Sequence, residues 1–332
     1  MSERPASTKR KRTEQEPSET APAPDPIPVR SKIWMPYGDI ILQAESTQFR
    51  VNRDNLARQS SVFRDMFAVP QPPNEPTVEG CPIVHVSDTA KDWELLLEVI
   101  YHPFHTSASR PFPVVASMLR LGKKYDIAEA REDALSRIHF EFPSDLESWR
   151  TTPNGLTKIN SSASVHVDLL NLVFECGVHT SIPTLGLFCL TFQTLEAMLL
   201  TGVQREDGSS ATIPAHTFAT LAIALERLLN FQRAFTLSWL NDDGVVPYKL
   251  CKSRKICERQ KKEISHLVFW RDPNGHDVSY TVHEWDVAWA DKLCDVCEVA
   301  AKTFYEVSCK KGWELLPTFF GLGEWKDLKD AD

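Results

Sequence analysis

FRVNRDNLARQSSVFRDMF, residues 49–67, changes its hydrophobic period in mid-run. Phe49 and Val51 alternate with polar neighbours, which is the period of a half-buried strand. Leu56, Ser60, Phe63 and Phe67 then recur every three or four residues, which is the period of a helix. A strand that feeds directly into short helices bearing large apolar groups must close against other elements nearby.

Those elements lie on both sides. GDIILQAE (38–45) reads as a short apolar strand, Glu45-Ser46-Thr47 as a turn, and QFRV as the return strand. Downstream, the prolines of PQPPNEPTVEG (70–80) forbid regular structure. PIVHVSD (82–88) is a further strand. Thr89 to Asp92 fits a capping box, and Trp93, Leu96, Leu97 and Ile100 form one apolar helical face. Pro103 ends that helix. Val115, Met118 and Leu119, then Ile127, Ala130, Ala134 and Ile138, predict a helical hairpin broken near Gly122 or Asp126.

The rest divides by composition. Residues 1–34 form a tail, and its first thirty residues are too polar and proline-rich to offset their ordering entropy, so disorder is expected. Residues 35–142 form the first domain, 143–163 a polar linker, and 164–332 a mostly helical region. In that region, helices are expected over 164–178, over 183–201, and from Pro214 to about Leu240. The fold class is α+β, with a helical C-terminal part.

Composition limits the function. The chain has 332 residues, 42% apolar and 25% charged, ordinary for a globular protein. Its net charge of -8 argues against broad nucleic-acid binding. No apolar run is long enough for a membrane span, and no signal-peptide core precedes the ordered part. The expected location is the cytoplasm and/or nucleus. KRKR (9–12) reads either as a nuclear import signal or as a solvated basic cluster.

The order strand, strand, two short helices, strand, helix, helical hairpin resembles the BTB/POZ domain. The residues that carry the likeness are Asp39, FRVNRDNLARQSSVFRDMF, IVHVSDTAKDWELLLEVIYHP and LRLGKKYDIAEAREDAL, over roughly 38–140. SSVFRDMFAVPQP, FPSDLESW and LPTFFGLGEWKDL look most like the fungal branch of the family. The resemblance implies a small sheet, with Phe49 and Val51 opposite Ile40 and Leu42, closed by Leu56, Phe63 and Phe67. Ser60 or Ser61 would cap the second short helix. It also implies that Asp39 and Arg53 line a partner-binding pocket beside a dimer interface, a plain structural ion pair being the alternative. Asn52 departs from the family's usual His. PNE (73–75) departs from the hydrophobic-x-acid motif of cullin-binding members, because Pro fills the hydrophobic slot.

Eight cysteines are expected as thiols or metal ligands rather than disulfides. Cys294-Asp295-Val296-Cys297 is a C-x2-C pair, and with Cys251 and Cys257 it could supply four thiolates for tetrahedral zinc. His276 and His283 are substitute ligands. The competing reading is core packing. Val287, Ala290, Cys294, Cys297, Ala301 and Phe304 fall at helical spacing, and buried cysteine behaves as a small hydrophobe. The spacing of the four cysteines is not diagnostic, so the stripe favours the core.

Catalytic signatures are missing. There is no GxSxG elbow, Walker loop or HExxH, and Cys176 and Cys189 lie in apolar runs. The basic run KLCKSRKICERQKKE (249–263) reads as a solvated helix face ahead of a phosphate-binding one. No cofactor other than zinc is implied. The chain is expected to be a non-enzymatic interaction protein, a homodimer that binds unidentified protein partners. A cullin-type ubiquitin ligase adaptor and a nuclear transcriptional regulator are the alternatives.

Overall fold

The stretch 49–67 folds as its periods require. β2 (Ile40–Ala44) and β3 (Thr47–Val51) are antiparallel, with Ile40 opposite Val51 and Leu42 opposite Phe49. Glu45 turns the chain between them at φ 52°. Two short helices follow, α1 (Arg53–Gln59) and α2 (Ser61–Ala68). Ser60 caps α2, its hydroxyl oxygen accepting the Phe63 N–H at 3.0 Å. The computed structural model describes residues 27–69, 76–102, 108–153, 155–160, 162, 164–270 and 277–331. KRKR, PNE and His276 lie outside them, as do the first 26 residues of the expected disordered tail.

A five-stranded sheet is built around this pair. β1 (Val29–Trp34) runs parallel to β3. β4 (Thr77–Val78) and β5 (Cys81–Val86) complete the order β1-β3-β2-β5-β4. β1 is a correction to the sequence reading, because it starts inside the segment assigned to the tail. Its local sequence VRSKIW is half polar, and only Ile33 is buried. Pairing with β3, not local hydrophobicity, makes it a strand.

α3 (Ala90–Tyr101) starts at Thr89, whose side chain accepts the Asp92 N–H at 3.0 Å. After β6 (Arg110–Pro111) come α4 (Phe112–Lys124) and α5 (Ala128–Glu141), the expected hairpin. The break falls at Asp126, at φ 50°. Gly122 serves the packing instead, since a Cβ there would lie 2.9 Å from the Arg131 backbone nitrogen. At the centre of the domain, Phe63 stacks on Tyr125 at 5.0 Å and meets Trp93 edge-on at 5.8 Å.

Residues 143–163 are not a plain linker. They hold α6 (Leu146–Thr151) and β7 (Ile159–Asn160), which pairs parallel with β6. Ile159 is buried. Buried Glu141 fixes the approach to it, with Oε1 accepting N–H bonds from Thr157, Lys158 and Ile159. The polar composition that suggested a linker comes from residues held by side-chain hydrogen bonds rather than by core packing.

The helical region contains α7 (Val165–Cys176) and α8 (Ile182–Phe192). The expected 183–201 helix is interrupted, because Gln193 is extended and a separate wide turn spans Ala197–Thr201. A small hairpin of β8 (Val203–Gln204) and β9 (Ser210–Ala211) leads to α9 (Ala215–Ala234). The chain ends with α10 (Arg254–Trp270), α11 (Val287–Ala290) and α12 (Asp295–Phe319). No helix among the described residues is long and apolar enough to cross a membrane.

Two hydrophobic cores result among the described residues. The larger runs from Ile33 through the first domain into α7, α8, α9 and the end of α12, at Leu316, Phe319 and Phe320. The smaller gathers Trp239, Trp285, Trp289 and Tyr305 with Cys251, Cys257, Cys297 and Cys309, and Cys294 packs against it. α12 belongs to both.

Candidate functional site

Asp39 and Arg53 are neighbours, but their side chains form no ion pair. The Asp39 carboxylate accepts the Arg53 backbone N–H at 2.7 Å. Arg53 is the first residue of α1, so Asp39 takes the place of an N-cap from fourteen residues upstream. Asn52, the residue in the cap position, makes no side-chain cap bond. Its side chain instead donates to the Tyr37 carbonyl at 2.9 Å, and its backbone N–H donates to the Tyr101 hydroxyl at 2.9 Å. Asn52 thus ties the turn to the loop before β2 and to α3. The Arg53 guanidinium lies 5.1 Å from the Phe67 ring centroid. Exposed apolar groups belong to the same elements: Tyr37 is 93% exposed, Val62 37% and Val69 62%.

The four cysteines converge from three places. Cys251 sits in the loop before α10, Cys257 in the first turn of α10, Cys294 at the N-cap of α12 and Cys297 in its first turn. The four sulfurs all lie within 4.8 Å of one another. Cys251 Sγ is 3.7 Å from Cys257 Sγ and 3.6 Å from Cys294 Sγ. The apolar stripe proposed for 287–304 does not exist as one helical face. α11 ends at Ala290, α12 starts only at Asp295, and Val287 is 78% exposed. Spacing counted across that break has no helical meaning.

Electrostatics distinguish these thiols. Burial pushes Cys257 and Cys297 up. At Cys294 the same burial is outweighed by the Cys297 backbone N–H and the neighbouring sulfurs, and the thiol is held below its ordinary value. The Tyr248 N–H donates to Cys297 Sγ at 3.3 Å. His283 is not in the cluster, and its Nδ1 lies 3.1 Å from the Glu284 carbonyl. Cys176 and Cys189 are buried in α7 and α8, and desolvation raises their thiols to about 11 and about 12, away from nucleophilic use. The solvated-face reading of the basic run fails at Lys261. It is 5% exposed, and its ammonium is 2.7 Å from the Asp243 carboxylate.

One constellation escaped sequence reasoning. The Asp330 carboxylate lies 2.8 Å from His139 Nε2 on α5 and accepts the Thr180 N–H at 2.9 Å. The Ala331 N–H donates to the Gly177 carbonyl, and Arg131 donates to the Ala331 carbonyl, both at 2.8 Å. A cleft of about 590 Å³ opens beside it, lined by His139, Asp145, Ser148, Thr180 and Asp330 among others. With His139 and Asp330 191 positions apart in the sequence, no local pattern could have signalled the contact.

A mixed sheet with two short helices after the β2–β3 hairpin and a helical hairpin behind it defines the class as an α+β domain. Residues 35–137 match the model of the BTB/POZ domain. The chain carries a BTB/POZ domain, and that domain supports a role in protein–protein interaction. No curated protein matches the chain.

Proposed function

We propose that the chain is a non-enzymatic interaction protein that self-associates and binds partner proteins through its BTB/POZ domain. The observation that carries this reading is the domain match over 35–137, set on the fold that such a domain requires. The exposed Tyr37, Val62 and Val69 give that domain apolar surface to cover. A two-fold dimer would bring one such surface against its copy. Arg53, spread over Phe67 rather than neutralised by Asp39, leaves a cationic group for a partner at the same place.

Light scattering behind size-exclusion chromatography tests self-association. The expected result is a dimer whose fraction falls on dilution and in a Tyr37→Asp variant. A strict monomer across micromolar concentrations defeats it. Affinity purification with mass spectrometry then identifies the partners. Co-purification with a cullin would narrow the reading to a ligase adaptor, and exclusion of a tagged chain from the nucleus would remove a nuclear regulatory one.

A further inference from the structure

We propose that Cys251, Cys257, Cys294 and Cys297 bind one zinc ion as a closed, structural four-sulfur site. Zinc–sulfur bonds of about 2.3 Å in a regular tetrahedron set neighbouring sulfurs about 3.8 Å apart. Two of the separations, Cys251–Cys294 at 3.6 Å and Cys251–Cys257 at 3.7 Å, fall near that edge length, and all four sulfurs lie within 4.8 Å of one another. Core cysteines have no reason to gather in this way. A buried thiol packs equally well against aliphatic carbon, and four thiolates without a metal would repel one another.

The surroundings suit a thiolate site. Cys294 and Cys297 stand at the N-terminus of a 25-residue helix, and Cys257 in the first turn of a 17-residue one. Both helix dipoles therefore present their positive ends to the sulfurs. The Tyr248 N–H is already aimed at Cys297 Sγ. Four thiolates and one Zn²⁺ carry a net charge of about -2. The basic run 249–263 contains two of the ligands, with Lys252, Arg254 and Lys255 between them.

All four positions are filled by protein, so no open coordination remains for a water or a substrate. The metal would tie the loop before α10 and the start of α10 to the start of α12. It would thereby close the smaller core, where Trp239, Trp289 and Tyr305 pack.

The test uses the full chain purified without chelator. Elemental mass spectrometry is expected to find about one zinc per chain, and Cys257→Ser and Cys294→Ser each to lose it. Cys81→Ser, in the BTB sheet, should keep the metal. Wild-type protein avoids the risk that a variant misfolds. Modification of its thiols with a mercurial should release zinc to a chromophoric chelator in step with four thiols, and Co²⁺ exchange should give thiolate-to-metal charge transfer with tetrahedral ligand-field bands. Zinc below about a tenth of an equivalent overturns the site, as does iron in its place or a disulfide among the four cysteines.

Discussion

The Asp330 carboxylate sits 2.8 Å from Nε2 of His139, joining the end of the described chain to the second helix of the BTB hairpin. Thr180, in the turn before α8, donates to the same carboxylate through both its N–H and its hydroxyl. Three elements distant in sequence therefore meet on one acid. The carboxylate is largely screened from solvent, at 14% side-chain exposure.

The acid makes that contact pH-dependent, with a definite sign. Burial alone would raise the Asp330 carboxyl, but the His139 and Thr180 hydrogen bonds outweigh it and hold the group below its ordinary 3.8. A depressed acid contributes stability that is complete above 3.8 and is lost as pH falls through the lower folded value. Hydrogen exchange should therefore show residues 177–181 and 328–331 less protected in Asp330→Asn than in wild type at neutral pH. The difference should shrink towards zero below the ordinary carboxylate range. A difference that persists unchanged in acid would refute the linkage.

Asp39 and Arg53 should behave as independent residues. Asp39→Ala removes the acceptor for the first N–H of α1 and should cost about 1 kcal/mol in chemical denaturation. Arg53→Ala keeps that N–H and removes only a guanidinium lying over Phe67, so its cost should be well under that. The double-mutant cycle should close to within about 0.3 kcal/mol, because no side-chain ion pair is being broken. A coupling above about 1 kcal/mol would restore the ion-pair reading.

Glu141 controls the segment between the BTB hairpin and α7. It is 3% exposed, and one of its oxygens accepts three backbone N–H groups. Glu141→Ala leaves those donors unpaired at about 1–3 kcal/mol each, so a loss of about 3 kcal/mol or more is expected. Thermal melting and exchange at Thr157, Lys158 and Ile159 check it. An unchanged melting temperature would mean that other partners take over.

Phe63 is fully buried among Trp93, Tyr125 and Phe67. Phe63→Ala should cost about 3–5 kcal/mol by leaving a cavity among the Trp93, Tyr125 and Phe67 rings. Phe63→Leu, nearer in volume, should cost less than half as much. Equal losses for the two would show that the site is looser than its packing implies.

What could be read from the sequence follows the range of the interactions. The β2–β3 register, the Ser60 and Thr89 caps and the α4–α5 hairpin are set within a few residues, and period and cap chemistry expose them. β1 and β7 are two- to six-residue segments made into strands by distant partners, and they are too short or too mixed in polarity for a local period to mark them. The cysteines show both limits. Their identities were visible, but the stripe that assigned them to a core assumed one helix where the chain breaks between Ala290 and Asp295. Asp39 was found through family likeness, yet its bond to a backbone N–H rather than to a guanidinium depends on where α1 begins.

Gly312 lies where α12 passes from the smaller core to the larger. In an open helix, Gly→Ala would gain about 1 kcal/mol in propensity. Here an added Cβ would sit 2.5 Å from the Thr281 carbonyl oxygen and 2.9 Å from a Phe231 ring carbon. The oxygen is backbone in a turn that is itself buried, so it cannot swing away as a flexible side chain would. The clash should exceed the propensity gain and leave Gly312→Ala destabilised by about 1–3 kcal/mol. Denaturation of the variant decides the sign. A stabilised protein would mean that α12 can slide on Thr281, and that its passage between the two cores is less fixed than this contact requires.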